Sequence, residues 1–309
     1  MIRIILSAIF LFFGLLSLVA CAESSESIGD EILEDVTEYS WSTKLGDLTL
    51  ITTAVTTPTL TRDTTVYYDF NEHLIEVVIK FPTETNFNGT IIALPGWNFK
   101  NTQWCDSTQL CEKALADGYV VILPEMGKSI YCDSIFPETP KDWLKFPTRS
   151  WIKETMIPDI QNDFQLLIDD QDNFVIGLST GARGAVLLAM DLPEIFSACG
   201  ALSGDFDQTR YTKDNLYNGY YGPYLDFTDR WTNQDNAVTS ISKLTVPVYL
   251  AHGDKDEIVP IENSNQLFIA LQESRNEASV LNVNPTAGHD YDFWNSEVDA
   301  VLEFFKKQF

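Results

Sequence analysis

Residues 174–184 read FVIGLSTGARG, and the reading of the whole chain turns on one serine set between two glycines. Phe174, Val175 and Ile176 form the apolar, β-rich run of a buried strand, while Ala182 through Met190 have the make-up of a helix packed on it. Ser179 stands at the corner. A tight strand-to-helix turn would by itself require small residues there. A nucleophile elbow requires more, because Gly177 and Gly181 must leave room for a strained backbone that lifts the hydroxyl into the open. The G-x-S-x-G spacing alone is weak, so the rest of the chain has to supply partners for the serine.

Working outward, strands and helices alternate. The stretches LTLITTAVTT (49–58), TTVYYDF (64–70) and HLIEVVIKF (73–81) carry β-branched and aromatic residues and read as strands. TIIALPG (90–96), YVVILPE (119–125), FSACGAL (196–202), VPVYLAHG (246–253) and ASVLNVN (278–284) follow, several of them unbroken apolar runs of the kind that parallel sheets bury on both faces. Helices are predicted over 107–116, with Gly118 at the stop, and over 150–170, with Ser150 as N-cap and a kink at Pro158. Two more are predicted over 264–273 and at the end of the chain, where Val298, Val301, Leu302 and Phe305 form one stripe. This order predicts an α/β fold with a mostly parallel sheet between helix layers. A long loop at 126–147 and an aromatic-rich insert at about 205–244 fall outside the alternation. Both are candidate walls for a binding site, and Tyr131 and Trp231 are the residues in them expected to touch substrate.

A serine hydroxyl is a poor nucleophile near neutral pH unless a base takes its proton and an acid holds that base in the right tautomer. Only three histidines exist to choose from. His73 lies in an early strand. His252 precedes the Gly253-Asp254 turn and reads as support for it. His289 lies in AGHDYDFW, after the last strand, where a parallel sheet gathers its loops. Two aspartates, Asp254 and Asp256, stand in AHGDKDEIVP after the penultimate strand. The chain order is then serine, aspartate, histidine. Arg183, just past the elbow, reads as one half of a surface salt bridge.

Four motifs, LPGWN, GLSTG, HGDKDEIVP and GHDYDFW, occur in this order between about Gly89 and Phe309, and with them the sequence resembles the α/β-hydrolase esterases. The resemblance is strongest to the group that includes S-formylglutathione hydrolase. It implies the α/β-hydrolase fold, Ser179 as nucleophile, Asp256 as the acid and His289 as the base. It also implies an oxyanion hole made by the backbone N–H groups of Thr180 and Trp97, although Pro95 stands where many relatives carry histidine. No metal and no organic cofactor is expected. The expected activity is cleavage of a small or polymer-derived ester through an acyl-enzyme. The alternatives are a peptidase of the prolyl-oligopeptidase type and a non-catalytic binding lipoprotein of the same fold.

The chain's ends and composition set its surroundings. Arg3 followed by an apolar run to Ala20 and then Cys21 reads as a lipoprotein signal over 1–20, with acylation of Cys21. Residues 21–43 are strongly acidic and read as a solvated tether, leaving one hydrolase domain over 44–309. The protein is therefore expected outside the cytoplasm, held to a membrane by its lipid alone. A formal charge of −25 argues against a nucleic-acid partner. Of the four other cysteines, Cys105 and Cys111 are close enough in sequence for a local bridge, and Cys199 reads as a buried strand thiol.

Overall fold

The computed structural model describes residues 40–45, 48–53 and 63–308, apart from 72, 84–85, 144–145, 170 and 234. The expected signal segment, Cys21 and most of the expected tether lie outside the described residues. The chain divides into two compact units after Pro58. In the first, β1 (Ser40–Leu45) and β2 (Leu48–Thr53) pair as an antiparallel hairpin, so the expected tether boundary at 43 falls inside a strand.

The second unit is built on eight strands: β3 (Thr64–Phe70), β4 (His73–Lys80), β5 (Gly89–Leu94), β6 (Tyr119–Pro124), β7 (Asp172–Leu178), β8 (Ala198–Leu202), β9 (Val248–Gly253) and β10 (Val280–Asn284). Their spatial order is β10-β9-β8-β7-β5-β6-β4-β3. The pairings β10-β9, β9-β8, β8-β7, β7-β5 and β5-β6 are parallel, and β4 runs against the rest, antiparallel to both β6 and β3. The central strands are buried along their length, which is why they read as continuous apolar runs, whereas β3 alternates and β10 is largely exposed at the two edges. Successive residues of one strand face opposite layers. Ile92, Leu94 and Val175 pack in a core with the helix Thr180–Asp191, while Ile91, Ala93, Phe174 and Ile176 pack with Leu110–Ala116 and Val298–Lys306. This is the α/β-hydrolase fold.

The helix before the elbow strand departs from expectation. It begins at Thr148, so Ser150 is not its cap but lies inside the first turn and donates its hydroxyl to the Asp133 carbonyl. A wider π-turn over Ile152–Met156 then leads into Ile157–Phe164. Pro158 has no N–H to give and would crowd a carbonyl one α-turn back, and the extra residue in the turn relieves both. The helix ends where Gln165 takes a left-handed backbone, φ 56°. The helix expected over 107–116 is two short ones, Gln103–Ser107 and Leu110–Ala116, tied by a Cys105–Cys111 disulfide. Cys132 and Cys199 are buried free thiols.

Arg183 is not at the surface. It is fully buried, with its guanidinium donating to the Asp235 carbonyl and to the Tyr221 hydroxyl and lying 3.5 Å from an Asp205 carboxylate oxygen. All three partners belong to the 205–244 insert, which folds down over the elbow helix as short helical turns around Tyr217, Tyr220, Tyr221 and Trp231.

Candidate active site

Ser179 sits between β7 and the helix Thr180–Asp191 with φ 54° and ψ −126°. A residue with a Cβ adopts such a backbone only when its surroundings enforce it, at a cost of about 1–3 kcal/mol. Here the Ser179 N–H donates to the Leu202 carbonyl at 2.9 Å, and both flanking glycines are obligatory. A Cβ on Gly177 would lie 2.0 Å from the Gly181 carbonyl oxygen, and one on Gly181 would lie 2.4 Å from that of Leu94. The corner is an elbow.

His289, in the loop after β10, lies with Nε2 3.0 Å from Ser179 Oγ and Nδ1 2.7 Å from Asp256 Oδ2. A carboxylate only accepts, so Nδ1 carries the proton and Nε2 turns its lone pair to the serine hydroxyl. The imidazole is held edge-on against Trp294 at 5.0 Å, and Trp294 donates its indole N–H to Ser203 at 3.1 Å.

Asp256, in the loop after β9, has a fully enclosed side chain. Its Oδ1 accepts the N–H groups of Ile258 at 2.9 Å and Val259 at 2.8 Å. Burial pushes the carboxyl up, but hydrogen bonds from His252, His289 and Val259 outweigh it and hold the group well below the usual carboxylate range. Asp254, two residues earlier, is exposed and pairs with Lys255 at 2.6 Å. His252 supports the turn as expected: Nε2–H donates to the Val259 carbonyl at 2.8 Å, and Nδ1 accepts from the Ser264 hydroxyl at 2.7 Å. Its Nε2 also lies 3.3 Å from Asp256 Oδ2. His73 opens β4, three places from β7 in the sheet.

Ser179 opens onto a cavity of about 350 Å³ whose walls include Trp97, Thr180, Tyr211, Tyr217, Val259 and Asn263. Thr180 is the first residue of its helix, so its N–H is one of the donors that no helical carbonyl can reach. Trp97 follows the Pro95-Gly96 turn after β5, and its N–H donates to no other backbone group among the described residues. Its ring packs edge-on against Trp143 and Tyr220, at 5.1 and 5.9 Å.

Tyr131 and Trp231, expected at the substrate, are not among the residues that line this cavity. Tyr131 is fully buried and donates its hydroxyl to the Pro95 carbonyl at 2.7 Å, so it anchors the turn that presents Trp97. Trp231 is buried among Tyr217, Tyr221 and Tyr224, with its indole N–H on the Gly222 carbonyl at 3.0 Å. An aromatic ring gains more from burial than from solvent, and these two had a core to enter. Among the described residues, the 126–147 loop likewise gives the cavity no lining residue, and its Trp143 packs behind Trp97. Sequence reasoning missed Asp205, Tyr211, Tyr217 and Asn263 as individual wall residues. Asp205 carried a usable signal, since it follows β8, the strand beside the elbow strand. Asn263 carried none.

Sheet order, elbow and the hydrogen-bonded serine leave one class of protein: this is a serine hydrolase with the α/β-hydrolase fold. Comparisons with known proteins agree. Residues 160–309 match the model of the prolyl oligopeptidase family. An acetyl esterase of Caldicellulosiruptor saccharolyticus is 22% identical over 234 residues, which cover 71% of this chain and 83% of that protein. A probable dipeptidyl-peptidase 5 of Aspergillus flavus is 26% identical over 182 residues, 56% of this chain but only 25% of the peptidase. Among solved structures, a ferulic acid esterase superposes with a TM-score of 0.63 at 16% identity, covering 80% of this chain and 97% of the other. An S-formylglutathione hydrolase from Agrobacterium tumefaciens does so with 0.62 at 16% identity, covering 80% and 94%.

Proposed function

We propose that the protein hydrolyses carboxylic esters through an acyl-enzyme. In this reading Ser179 Oγ attacks the ester carbonyl while His289 Nε2 takes its proton. Asp256 holds the imidazole in the required tautomer and stabilises the imidazolium that forms. The N–H groups of Thr180 and Trp97 receive the charge that develops on the carbonyl oxygen. Protonation of the leaving alkoxide by His289 frees the alcohol, and water, activated by the same histidine, releases the acid and restores the serine. The observation that carries this reading is the unbroken chain Asp256–His289–Ser179 at 2.7 and 3.0 Å, ending on a cavity large enough for a small ester.

Turnover of p-nitrophenyl acetate tests it. Ser179→Ala should lower turnover by on the order of a millionfold with an unchanged melting temperature. Wild-type turnover in that variant would remove Ser179 from the role. A wild-type protein that a fluorophosphonate does not label would favour a non-catalytic binding lipoprotein.

The match to the prolyl oligopeptidase model and the dipeptidyl-peptidase relatives favour a second reading, peptide cleavage by the same three residues. Ester cleavage is preferred because the acetyl esterase aligns over most of both chains, whereas the match spans a quarter of the peptidase. Faster hydrolysis of dipeptidyl anilides than of acetate esters would reverse that preference.

We further propose that Cys21 is acylated and anchors the enzyme outside the cytoplasm. Cys21→Ser should then move the protein from the membrane fraction to the soluble one, and an intact mass without added acyl groups on the native protein would refute it.

A further inference from the structure

Two N–H groups have to reach one oxygen for an oxyanion hole to work, and here they stand on different segments. Thr180 opens the elbow helix, whereas Trp97 follows the Pro95-Gly96 turn after β5. The developing oxyanion is held only where both donors lie about 2.7–3.1 Å from it. The spacing of the two segments therefore matters as much as the presence of the donors.

The turn is pinned peptide by peptide. The Gly96 carbonyl accepts the Phe99 N–H at 3.2 Å, and in a planar trans peptide this turns the Trp97 N–H the opposite way. The Asn98 N–H donates to the Gly127 carbonyl at 2.8 Å. The Pro95 carbonyl accepts the Tyr131 hydroxyl at 2.7 Å. The first two bonds join backbone to backbone, and the third belongs to a side chain whose ring rests on the other segment. A Cβ on Gly184, about one turn along the helix from Thr180, would lie 2.4 Å from the Tyr131 ring. One on Gly181 would lie 2.6 Å from the Pro95 carbonyl oxygen. Tyr131 thus spans both segments, with its ring against the elbow helix and its hydroxyl on the turn.

The chain holds Tyr131 there against its own backbone preference. Its φ of 57° is left-handed, a conformation that a residue with a Cβ keeps only where its surroundings enforce it. Its N–H donates to Ser129 Oγ at 2.9 Å, and Ser129 Oγ lies 2.7 Å from Thr148 Oγ1 in a buried pair. Burial raises the phenol well above its usual range, so the hydroxyl keeps its proton and remains a donor. A core tyrosine needs some acceptor for its hydroxyl, and any buried carbonyl would serve. This one takes the carbonyl two residues before the oxyanion donor.

We propose that Tyr131 sets the distance between the Thr180 and Trp97 N–H groups and so acts as a positioning residue for the oxyanion hole. It touches no reacting atom itself. The proposal rests on the acyl-enzyme reading above.

The test measures hydrolysis of p-nitrophenyl acetate and its inhibition by 1,1,1-trifluorobutan-2-one, a ketone whose adduct with Ser179 carries the oxyanion. Tyr131→Phe keeps the ring on Gly184 and removes the hydroxyl. It should lower kcat and kcat/KM together by about ten- to a hundredfold, with KM near wild type. The inhibition constant for the ketone should rise by the factor by which kcat/KM falls, a proportion that general loosening of the fold would not produce. Ser129→Ala, which frees the Tyr131 N–H, should shift both quantities the same way by a smaller factor. Tyr249→Phe also deletes a buried phenol hydrogen bond, the one to Glu297 at 2.7 Å, and should leave both near wild type. Wild-type kcat and inhibition in Tyr131→Phe would overturn the positioning role, as would a rise in KM alone or an equal loss in Tyr249→Phe. No hydrolysis by the wild-type enzyme would instead overturn the esterase reading, and the proposal with it.

Discussion

At the scale of single residues, Asp254 and Asp256 show how position within one turn separates two identical side chains. The first bend of the loop would ordinarily take its backbone hydrogen bonds from the first aspartate. Here Asp256 makes them with Oδ1 and keeps Oδ2 for His289. Asp256→Asn is expected to lower turnover of p-nitrophenyl acetate by roughly ten-thousandfold, because an amide at that site can favour the wrong imidazole tautomer. Asp254→Asn removes an exposed pair with Lys255, and both turnover and melting temperature should stay near wild type. A large loss in Asp254→Asn with little in Asp256→Asn would transfer the role.

Among elements, the loop joining β9 to the helix Glu262–Glu273 depends on His252. Its ring bridges the Val259 carbonyl and the Ser264 hydroxyl and lies against the Asp256 carboxylate, so it fixes where the loop closes. His252 touches no reacting atom in this arrangement, which makes it a positioning residue. His252→Ala should lower kcat by roughly ten- to a hundredfold, the scale of effect that follows a misplacement of about 1 Å. His289→Ala should cost far more. Equal losses in the two variants, at matched melting temperatures, would mean that His252 takes part in proton transfer.

For the whole molecule, the insert is held by charges that the interior has enclosed. Arg149 is almost fully buried and pairs with Asp133, Asp191 and Asp235, and the Asp235 carbonyl also takes a hydrogen bond from Arg183. Asp235 receives the Tyr221 hydroxyl as well, at 3.1 Å. Asp235→Ala takes one of three carboxylates from the buried Arg149 guanidinium and unpairs the Tyr221 hydroxyl, and should destabilise the fold by about 1–3 kcal/mol in a denaturant titration. A change below 1 kcal/mol would show that Asp133 and Asp191 suffice for Arg149. Asp133 also sets a pH dependence. Burial raises its carboxyl, but hydrogen bonds and charge from Arg149 and Lys153 lower it further, to about 2. A depressed carboxyl stabilises the fold fully above its unfolded value of 3.8 and loses that contribution as pH falls toward about 2. The melting temperature of Asp133→Asn should therefore lie below wild type at pH 6 and converge with it between pH 4 and 2. A gap that stays constant down to pH 2 would refute this linkage.

Local physics made much of this protein legible from its sequence. Glycines around Ser179 announce a close backbone approach, apolar runs without polar interruption announce strands covered on both faces, and the order of Ser179, Asp256 and His289 follows from where such strands end. These signals are short-range, so the residues that carry them lie side by side in the chain. Other features depended on who the distant neighbours would be. Arg183 has the chemistry of a surface residue and becomes a core residue because Asp205, Tyr221 and Asp235 fold over it. Tyr131 and Trp231 have rings that suit a binding wall or a core, and packing turned both inward. The wall of the cavity draws Trp97, Asp205 and Asn263 from segments after β5, β8 and β9. Only assembly of the sheet and docking of the insert bring those segments together, because residues far apart in the chain become neighbours only once it is packed.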